Sequence, residues 1–245
     1  PFGGNTNRIE EGFPLNYLWG YQASGIFQTQ EEVNAYLSTT SDQLSDDTRR
    51  APGDMFFEDT YGPATEEGEF RTEGADGVVN TLDQTYLGKT IPGYFYGFNV
   101  GANWRGFDLS VFFQGIGDVQ KYNEIRRRGE SMSGQGVNQW ITTNNRWTPT
   151  NPSTTFPRAM ASDPTGNNRF SSRWIEDAGF MRLKNFQLGY TLAPSALRAL
   201  GNAKNIRIYV SGTNTLLFTN WSGVDPENDR VPPPRIFTVG LNLTY

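Results

Sequence analysis

The chain has 245 residues and a net charge of −5, and it contains neither cysteine nor histidine. Disulfide bonds, thiol nucleophiles, Ser-His-Asp catalysis and zinc held by histidine or cysteine are therefore excluded. Aromatic residues make up 14% of the sequence and charged residues only 19%, which favours strands and turns over long helices. The one basic run is Arg126-Arg127-Arg128; we expect a solvated loop there and no nucleic-acid partner.

Six segments alternate between apolar and small polar residues, the pattern of strands with two different faces. In chain order they are residues 15–22, 94–104, 107–114, 180–192, 206–211 and 235–245. The clearest is Tyr94–Trp104, and the Arg105-Gly106 pair that follows predicts a tight hairpin to the next strand. Short helices are predicted at residues 31–37 and after Pro194.

The connections between these strands alternate between short and long, with the long ones at about residues 23–93, 119–179 and 217–235. Loops of that length are uncommon in compact soluble domains, whereas outer-membrane barrels have short periplasmic turns and long extracellular loops. The second strand face carries glycine, asparagine, serine and threonine with little charge, which fits a hydrated channel.

We therefore predict an all-β fold, in which about six antiparallel strands belong to a transmembrane up-and-down β-barrel with long extracellular loops. The two longest segments have the length of about 9–11 residues that a tilted strand needs to cross a bilayer. The alternative is a soluble carbohydrate-binding β-sandwich, because sandwich strands also have two different faces.

Several blocks of the sequence resemble the SusC/RagA family of transporters. In order, they are residues 86–99 (YLGKTIPGYFYGFN), 106–115 (GFDLSVFFQG), 146–152 (RWTPTNP), 180–190 (FMRLKNFQLGY), 207–214 (RIYVSGTN) and 240–245 (GLNLTY). The resemblance runs from about Gly20 to the end of the chain. It indicates that residues 1–245 are the C-terminal barrel portion of a TonB-dependent outer-membrane transporter, a fragment without the plug domain and signal peptide.

The resemblance implies a barrel of about 22 strands in the cell outer membrane of Bacteroidetes-type bacteria, where it would import oligosaccharides or peptides. The implied partners are a SusD-like lipoprotein lid, TonB, which acts through the missing N-terminal part, and outer-membrane lipids. Tyr245 resembles the terminal aromatic signal for barrel assembly. No catalytic residue is expected; adjacent acids such as Glu31-Glu32 leave a glycosidase as a third hypothesis, but such pairs are usually solvated.

One segment, residues 76–83 (DGVVNTLD), resembles the second half of an EF-hand calcium loop. Asp76 would stand at the fifth position, Val78 would offer its carbonyl and Asp83 would close the loop. The first and third positions fall on Thr72 and Gly74, which carry no carboxylate. A structural calcium ion is therefore weighed against a plain turn, and no other cofactor is expected.

Four tryptophans lie in or beside the long loops: Trp140, Trp147, Trp174 and Trp221. Exposed indole rings stack on sugars and anchor protein interfaces, so these residues are candidates for contact with the ligand or the lid. The alternative is that they pack one loop against another.

Overall fold

The structure is a computed structural model that describes residues 2–3, 6–67, 69–134, 136–199 and 203–244. It consists mostly of strands with a few short helices. Two compact units are present: Pro1–Ile91 with Gln120–Glu176, and Pro92–Val119 with Asp177–Tyr245. Among the described helices, none is long and apolar enough to cross a bilayer.

The strands and α-helices are numbered in chain order. The strands are β1 (Phe2–Gly3), β2 (Asn7–Ile9), β3 (Tyr17–Tyr21), β4 (Ala23–Ile26), β5 (Ser41–Asp42), β6 (Met55–Phe57), β7 (Tyr61–Pro63), β8 (Arg71–Glu73), β9 (Val78–Val79), β10 (Gln84–Gly88), β11 (Tyr94–Trp104), β12 (Phe107–Gly117), β13 (Gln120–Tyr122), β14 (Ile175–Asp177), β15 (Phe180–Thr191), β16 (Asn205–Thr219) and β17 (Ile236–Thr244). The helices are α1 (Gln30–Thr39), α2 (Glu124–Glu130) and α3 (Pro194–Ala199).

The second unit is built on one antiparallel sheet with the order β11-β12-β15-β16-β17. Strands β11 and β12 pair along their whole length, from Tyr94 opposite Gly117 to Trp104 opposite Phe107. The turn between them places Arg105 at φ 46° and Gly106 at φ 90°. Two positive φ values are the mark of a type I′ hairpin turn, and the predicted hairpin is confirmed.

Two β-bulges lie at the same level of this sheet. Strand β15 has one more residue than β12 at Lys184, because Phe112 pairs with Asn185 and Phe113 with Leu183. Strand β16 then has one more residue than β15, between Thr213 and Leu216. A bulge bends its strand and redirects a side chain, so the sheet is irregular at this level.

In the first unit, a sheet of order β1-β2-β3-β10 contains the predicted strand at residues 15–22. This strand was expected to be a sixth member of the larger sheet with one exposed face. Instead, all five residues of β3 are buried. The guanidinium groups of Arg8 and Arg71 lie 4.0 and 4.8 Å from the Trp19 ring centroid and help to bury this ring. The alternating sequence pattern alone could not show that Trp19 is buried.

The remainder of the first unit is formed by the segments that the sequence suggests are long loops. They fold into paired short strands, β4 with β6, β5 with β9, β7 with β8 and β13 with β14. Helix α1 confirms the helix predicted at residues 31–37 and begins at a cap, where the Thr29 hydroxyl accepts from the Glu32 N–H at 3.3 Å. A buried cluster holds these segments together: Tyr21, Ile26, Met55, Phe57 and Val79.

Candidate functional site

The five-stranded sheet has one continuous apolar face that is open to its surroundings. Representative exposures are 45% for Phe98, 49% for Val100, 37% for Leu109, 78% for Val239 and 61% for Leu241. Aromatic pairs extend across the strands, with ring centroids 4.9 Å apart for Phe98–Phe113 and 4.6 Å for Phe107–Tyr190. This exposure does not fit the β-sandwich alternative, in which the apolar face would be the core.

At one end of this apolar face, tyrosine rings lie over glycines of the neighbouring strand. Tyr94 is opposite Gly117 and Tyr96 is opposite Gly115. The Tyr96 hydroxyl donates to the Phe180 carbonyl at 3.2 Å, and a Cβ on Gly115 would lie 2.4 Å from that oxygen. Tyrosines with an apolar ring and a hydrogen-bonded hydroxyl are typical of a membrane interface.

The opposite, polar face carries small and amide side chains, including Asn99, Gly101, Ser110, Gln187 and Ser211. An ion pair crosses three strands on this face: the Arg207 guanidinium donates to both carboxylate oxygens of Asp108. Gly189 lies between them, and a Cβ there would be 2.4 Å from Arg207 Nη2. Glycine therefore leaves space for the charged pair on the surface of the strand.

A second ion pair attaches the last long loop to the polar face. Arg182 on β15 is 3% exposed, and its Nη2 donates to both oxygens of Asp225 at 2.8 Å. The Glu227 carboxylate is 2.9 Å from the same nitrogen. Residues 220–235 are thus held by a buried charge on the sheet.

In the first unit, the Pro52-Gly53-Asp54 segment meets the block at residues 146–152. The carboxylate of Asp54, fully buried, accepts two hydrogen bonds from Arg158 at 2.8 Å and one from the Asn167 amide at 3.0 Å. The Trp147 ring covers Gly53, whose φ is 91°, so closely that a Cβ would lie 2.5 Å away. Pro-Gly-Asp therefore has a structural role, which the sequence reading missed.

The basic triplet does not form a solvated loop but lies in α2, where each arginine has a carboxylate partner. Arg126 binds Glu130 and Glu176, both at 2.8 Å. Arg127 and Arg128 bind Glu124 at 2.9 and 2.8 Å. The pKa of Glu124 is lowered to about 2, mainly by the hydrogen bonds that its carboxylate accepts from Arg127. The triplet thus stabilises a helix.

The residues of the candidate calcium loop have other hydrogen-bond partners. The Asp83 carboxylate is buried and accepts from the backbone N–H groups of Thr60, Tyr61 and Asn80 at 2.8–3.0 Å. Asp76 accepts from the Val78 N–H at 2.8 Å. Over the part of the chain that the structure describes, no three acidic side chains gather as metal ligands. The Asp83 and Asp76 carboxylates thus hold the local backbone through hydrogen bonds, and calcium binding by residues 76–83 stays a prediction.

The four candidate tryptophans occupy different environments. Trp174 is 0% exposed and Trp221 5% exposed, so their rings pack in the interior and present no face to a ligand. Trp147 packs against the buried cluster and donates to the Gln28 side chain at 3.1 Å. Trp140 is 37% exposed and Trp147 is partly buried, and contact of either ring with the ligand or the lid stays a prediction.

Comparison with known proteins gives consistent likenesses, although no family model matches the chain. It is 30% identical over 262 residues to the TonB-dependent receptor P3 of Formosa agariphila, covering 98% of this chain and 23% of that protein. The TonB-dependent receptor P26 of the same organism is 30% identical over 259 residues, covering 99% and 24%.

Solved structures agree in fold. The RagAB peptide transporter superposes with a TM-score of 0.72 at 23% identity, covering 100% of this chain and 24% of that chain. The RagAB peptide importer in its closed-closed state gives a TM-score of 0.68, also at 23% identity, covering 100% and 25%. These relatives are receptors and transporters, which favours the expectation of a non-enzymatic protein.

The chain spans about a quarter of the length of the relatives it matches. Over nearly its whole length the chain is similar to TonB-dependent receptors, and its fold matches part of the RagAB peptide transporter.

Proposed function

We propose that this chain forms part of the wall of a transporter in the cell outer membrane. The observation that carries the proposal is the continuous exposure of the apolar face, from Phe98 on β11 to Leu241 on β17. Leaving so large an apolar surface in water is unfavourable, whereas lipid chains cover it without penalty. The polar face then lines the inside of the barrel.

The substrate and partners follow from the family. The whole transporter takes up oligosaccharides or peptides together with a SusD-like lipoprotein, and TonB supplies the energy. Support comes from the likeness to TonB-dependent receptors and to a RagAB peptide transporter. A strain lacking the gene should fail to grow on the matching glycan or peptide as sole carbon source, and unchanged growth on every such substrate contradicts the proposal.

Arginine substitutions at two adjacent residues of β17, one on each face, test which face of the sheet meets lipid. Val239 is 78% exposed on the apolar face, and the adjacent Thr238 pairs with Ser211 on the polar face. In the full-length protein, Val239→Arg should destabilise the barrel by about 2–4 kcal/mol if this position lies near the bilayer centre. Thr238→Arg should cost far less, because its charge enters the hydrated interior.

The measurement is the amount of heat-modifiable, folded protein in isolated outer membranes for each variant. A strong loss for Val239→Arg with near-normal Thr238→Arg supports the lipid-facing assignment. Equal losses, or a greater loss for Thr238→Arg, contradict it.

A further inference from the structure

A cavity of about 380 Å³ lies on the polar face of the sheet, beneath the last long loop. Arg182, Asn214 and Leu217 form its floor on β15 and β16. Pro232, Pro233 and Pro234, which lead into β17, form a wall. The volume lies within the range of small-ligand sites, about 300–1,000 Å³.

The floor contains a backbone irregularity. Asn214 lies in the β16 bulge and has a φ of 55°. Positive φ is uncommon for residues other than glycine, although asparagine tolerates it better than most. Bulges frequently redirect a side chain beside a functional site, and this one brings Asn214 to the cavity.

Two buried polar atoms at the cavity have no hydrogen-bond partner among the described residues: Asn214 Oδ1 and Arg182 Nε. The side-chain nitrogen of Asn214 donates to the Pro234 carbonyl at 3.2 Å, which fixes the orientation of the amide and leaves the oxygen unused. Asn214 is 8% exposed and Arg182 3% exposed. Buried unpaired groups of this kind destabilise a fold unless a ligand or ordered water satisfies them.

The charge at the cavity selects the kind of ligand. Asp225 and Glu227 already neutralise Arg182 through its Nη2 atom. An anionic ligand would therefore meet the Asp225 carboxylate, and a cationic one would meet Arg182 and Arg235. Between the apolar proline and leucine walls, Arg182 Nε offers an unpaired N–H donor and Asn214 Oδ1 an unpaired acceptor, a combination that suits the hydroxyl group of a neutral ligand.

We propose that this cavity binds one neutral sugar ring of a glycan. A hydroxyl group can accept from Arg182 Nε and donate to Asn214 Oδ1, and the C–H faces of the ring pack against Leu217 and Pro232–Pro234. The loop encloses a compact space, which fits a ring better than an extended peptide. The inference deepens the proposed import function and rests on it, because it places a sugar contact on the barrel wall.

The test uses saturation-transfer NMR on the full-length protein in detergent, with methyl glucoside, methyl galactoside and methyl mannoside as probes. Glucuronate and glycylglycine serve as the charged and peptide comparators. We expect at least one neutral glycoside to bind the wild-type protein, and we expect both comparators to bind more weakly.

Asn214→Gly removes the acceptor and keeps the positive φ, which glycine adopts without strain. Its affinity for the glycoside should fall about three- to tenfold, the effect of one lost hydrogen bond. Asn214→Asp also loses the contact to Pro234 but keeps an acceptor, and it should retain binding. Asn99→Gly, on the polar face of β11, is the matched control and should bind normally.

The inference is overturned by no signal from any neutral glycoside, by stronger binding of either comparator, or by equal binding in wild type and Asn214→Gly. An equal loss of glycoside affinity in Asn214→Gly and Asn214→Asp also overturns it. Both variants lose the hydrogen bond to the Pro234 carbonyl, and that bond would then explain the loss. The membrane assignment is tested separately by the Val239 and Thr238 pair, so a protein that assembles normally but binds no glycoside refutes this inference alone.

Discussion

Glycine at single positions of the sheet allows close contact between neighbouring strands. At Gly115 an added Cβ would lie 2.3 Å from Tyr96 Cζ and 2.4 Å from the Phe180 carbonyl oxygen. The second neighbour is backbone and cannot rotate away. At Gly101, in the same sheet, the nearest atom would be the Leu109 carbonyl oxygen at an ordinary 3.8 Å.

This difference predicts opposite outcomes for two identical substitutions in the full-length protein. Gly115→Ala should destabilise the barrel by about 1–3 kcal/mol through overpacking. Gly101→Ala should be neutral or stabilising by up to about 1 kcal/mol, because alanine loses less backbone entropy on folding. Thermal unfolding in detergent measures both, and a Gly115→Ala midpoint at or above that of Gly101→Ala would refute the steric argument.

Among the connecting elements, the loop at residues 220–235 depends on the buried charge of Arg182. Asp225 is nearly as buried as Arg182, whereas the Glu227 side chain is 32% exposed. Removing a partner from a buried pair costs about 3–5 kcal/mol, whereas an exposed pair contributes about 0–1 kcal/mol. The two carboxylates should therefore contribute unequally to holding the loop.

Limited proteolysis of the full-length protein can compare Asp225→Ala with Glu227→Ala. We expect faster cleavage within residues 220–235 for Asp225→Ala and near wild-type protection for Glu227→Ala. Similar cleavage in both variants would show that the Arg182–Asp225 pair does not hold the loop.

Helix α2 carries a pH dependence that follows from Glu124. Its hydrogen bonds to Arg127 and Arg128 lower the pKa from 4.5 to about 2. A lowered carboxyl pKa stabilises the folded form above pH 4.5, and this stabilisation is lost as the pH falls from 4.5 towards 2. The helix should therefore open in that range before the strands do.

Hydrogen exchange of residues 124–130, corrected for the intrinsic effect of pH, measures this opening. Wild type should lose protection between about pH 4.5 and 2. Glu124→Gln should show lower protection already at pH 6 and a weaker pH dependence. If wild type and Glu124→Gln show the same pH profile, Glu124 is not the titrating group.

The elements also show which parts of the structure local sequence can predict. The strands of the larger sheet were predictable because their two faces differ in polarity, and that difference repeats every second residue. Strand β3 was misplaced because its sequence also alternates, although all of its residues are buried. The Asp54–Arg158 pair joins residues 104 apart in the chain, and nothing in either local sequence indicates the partner.

The β16 bulge at Asn214 was also missed, because one additional residue shifts the pairing without changing the composition. The candidate site could thus be predicted only as a two-faced sheet. Its specific contacts, between Arg182 and the last loop and around Asn214, depend on long-range packing. The burial of Trp174 and Trp221 also depends on long-range packing, which the local sequence does not show.

For the whole molecule, the larger sheet has two edge strands, β11 and β17, whose outward backbone groups pair with no other strand of that sheet. Its apolar face exposes large side chains, including Val239 at 78% and Phe237 at 66%. Open strand edges pair readily with other chains, and large apolar patches associate in water. Both features are covered when further strands close a barrel in lipid.

Residues 1–245 produced alone should therefore aggregate in buffer and require detergent to stay dispersed. Light scattering and size-exclusion chromatography with and without detergent measure this, and the full-length transporter in the same detergent is the control. Lysine at Val239 and Leu241 should reduce the aggregation, because charge on the apolar face opposes association. A monomer in plain buffer with one cooperative melting transition would mean that the apolar face has another cover, and the lipid-facing assignment would then be wrong.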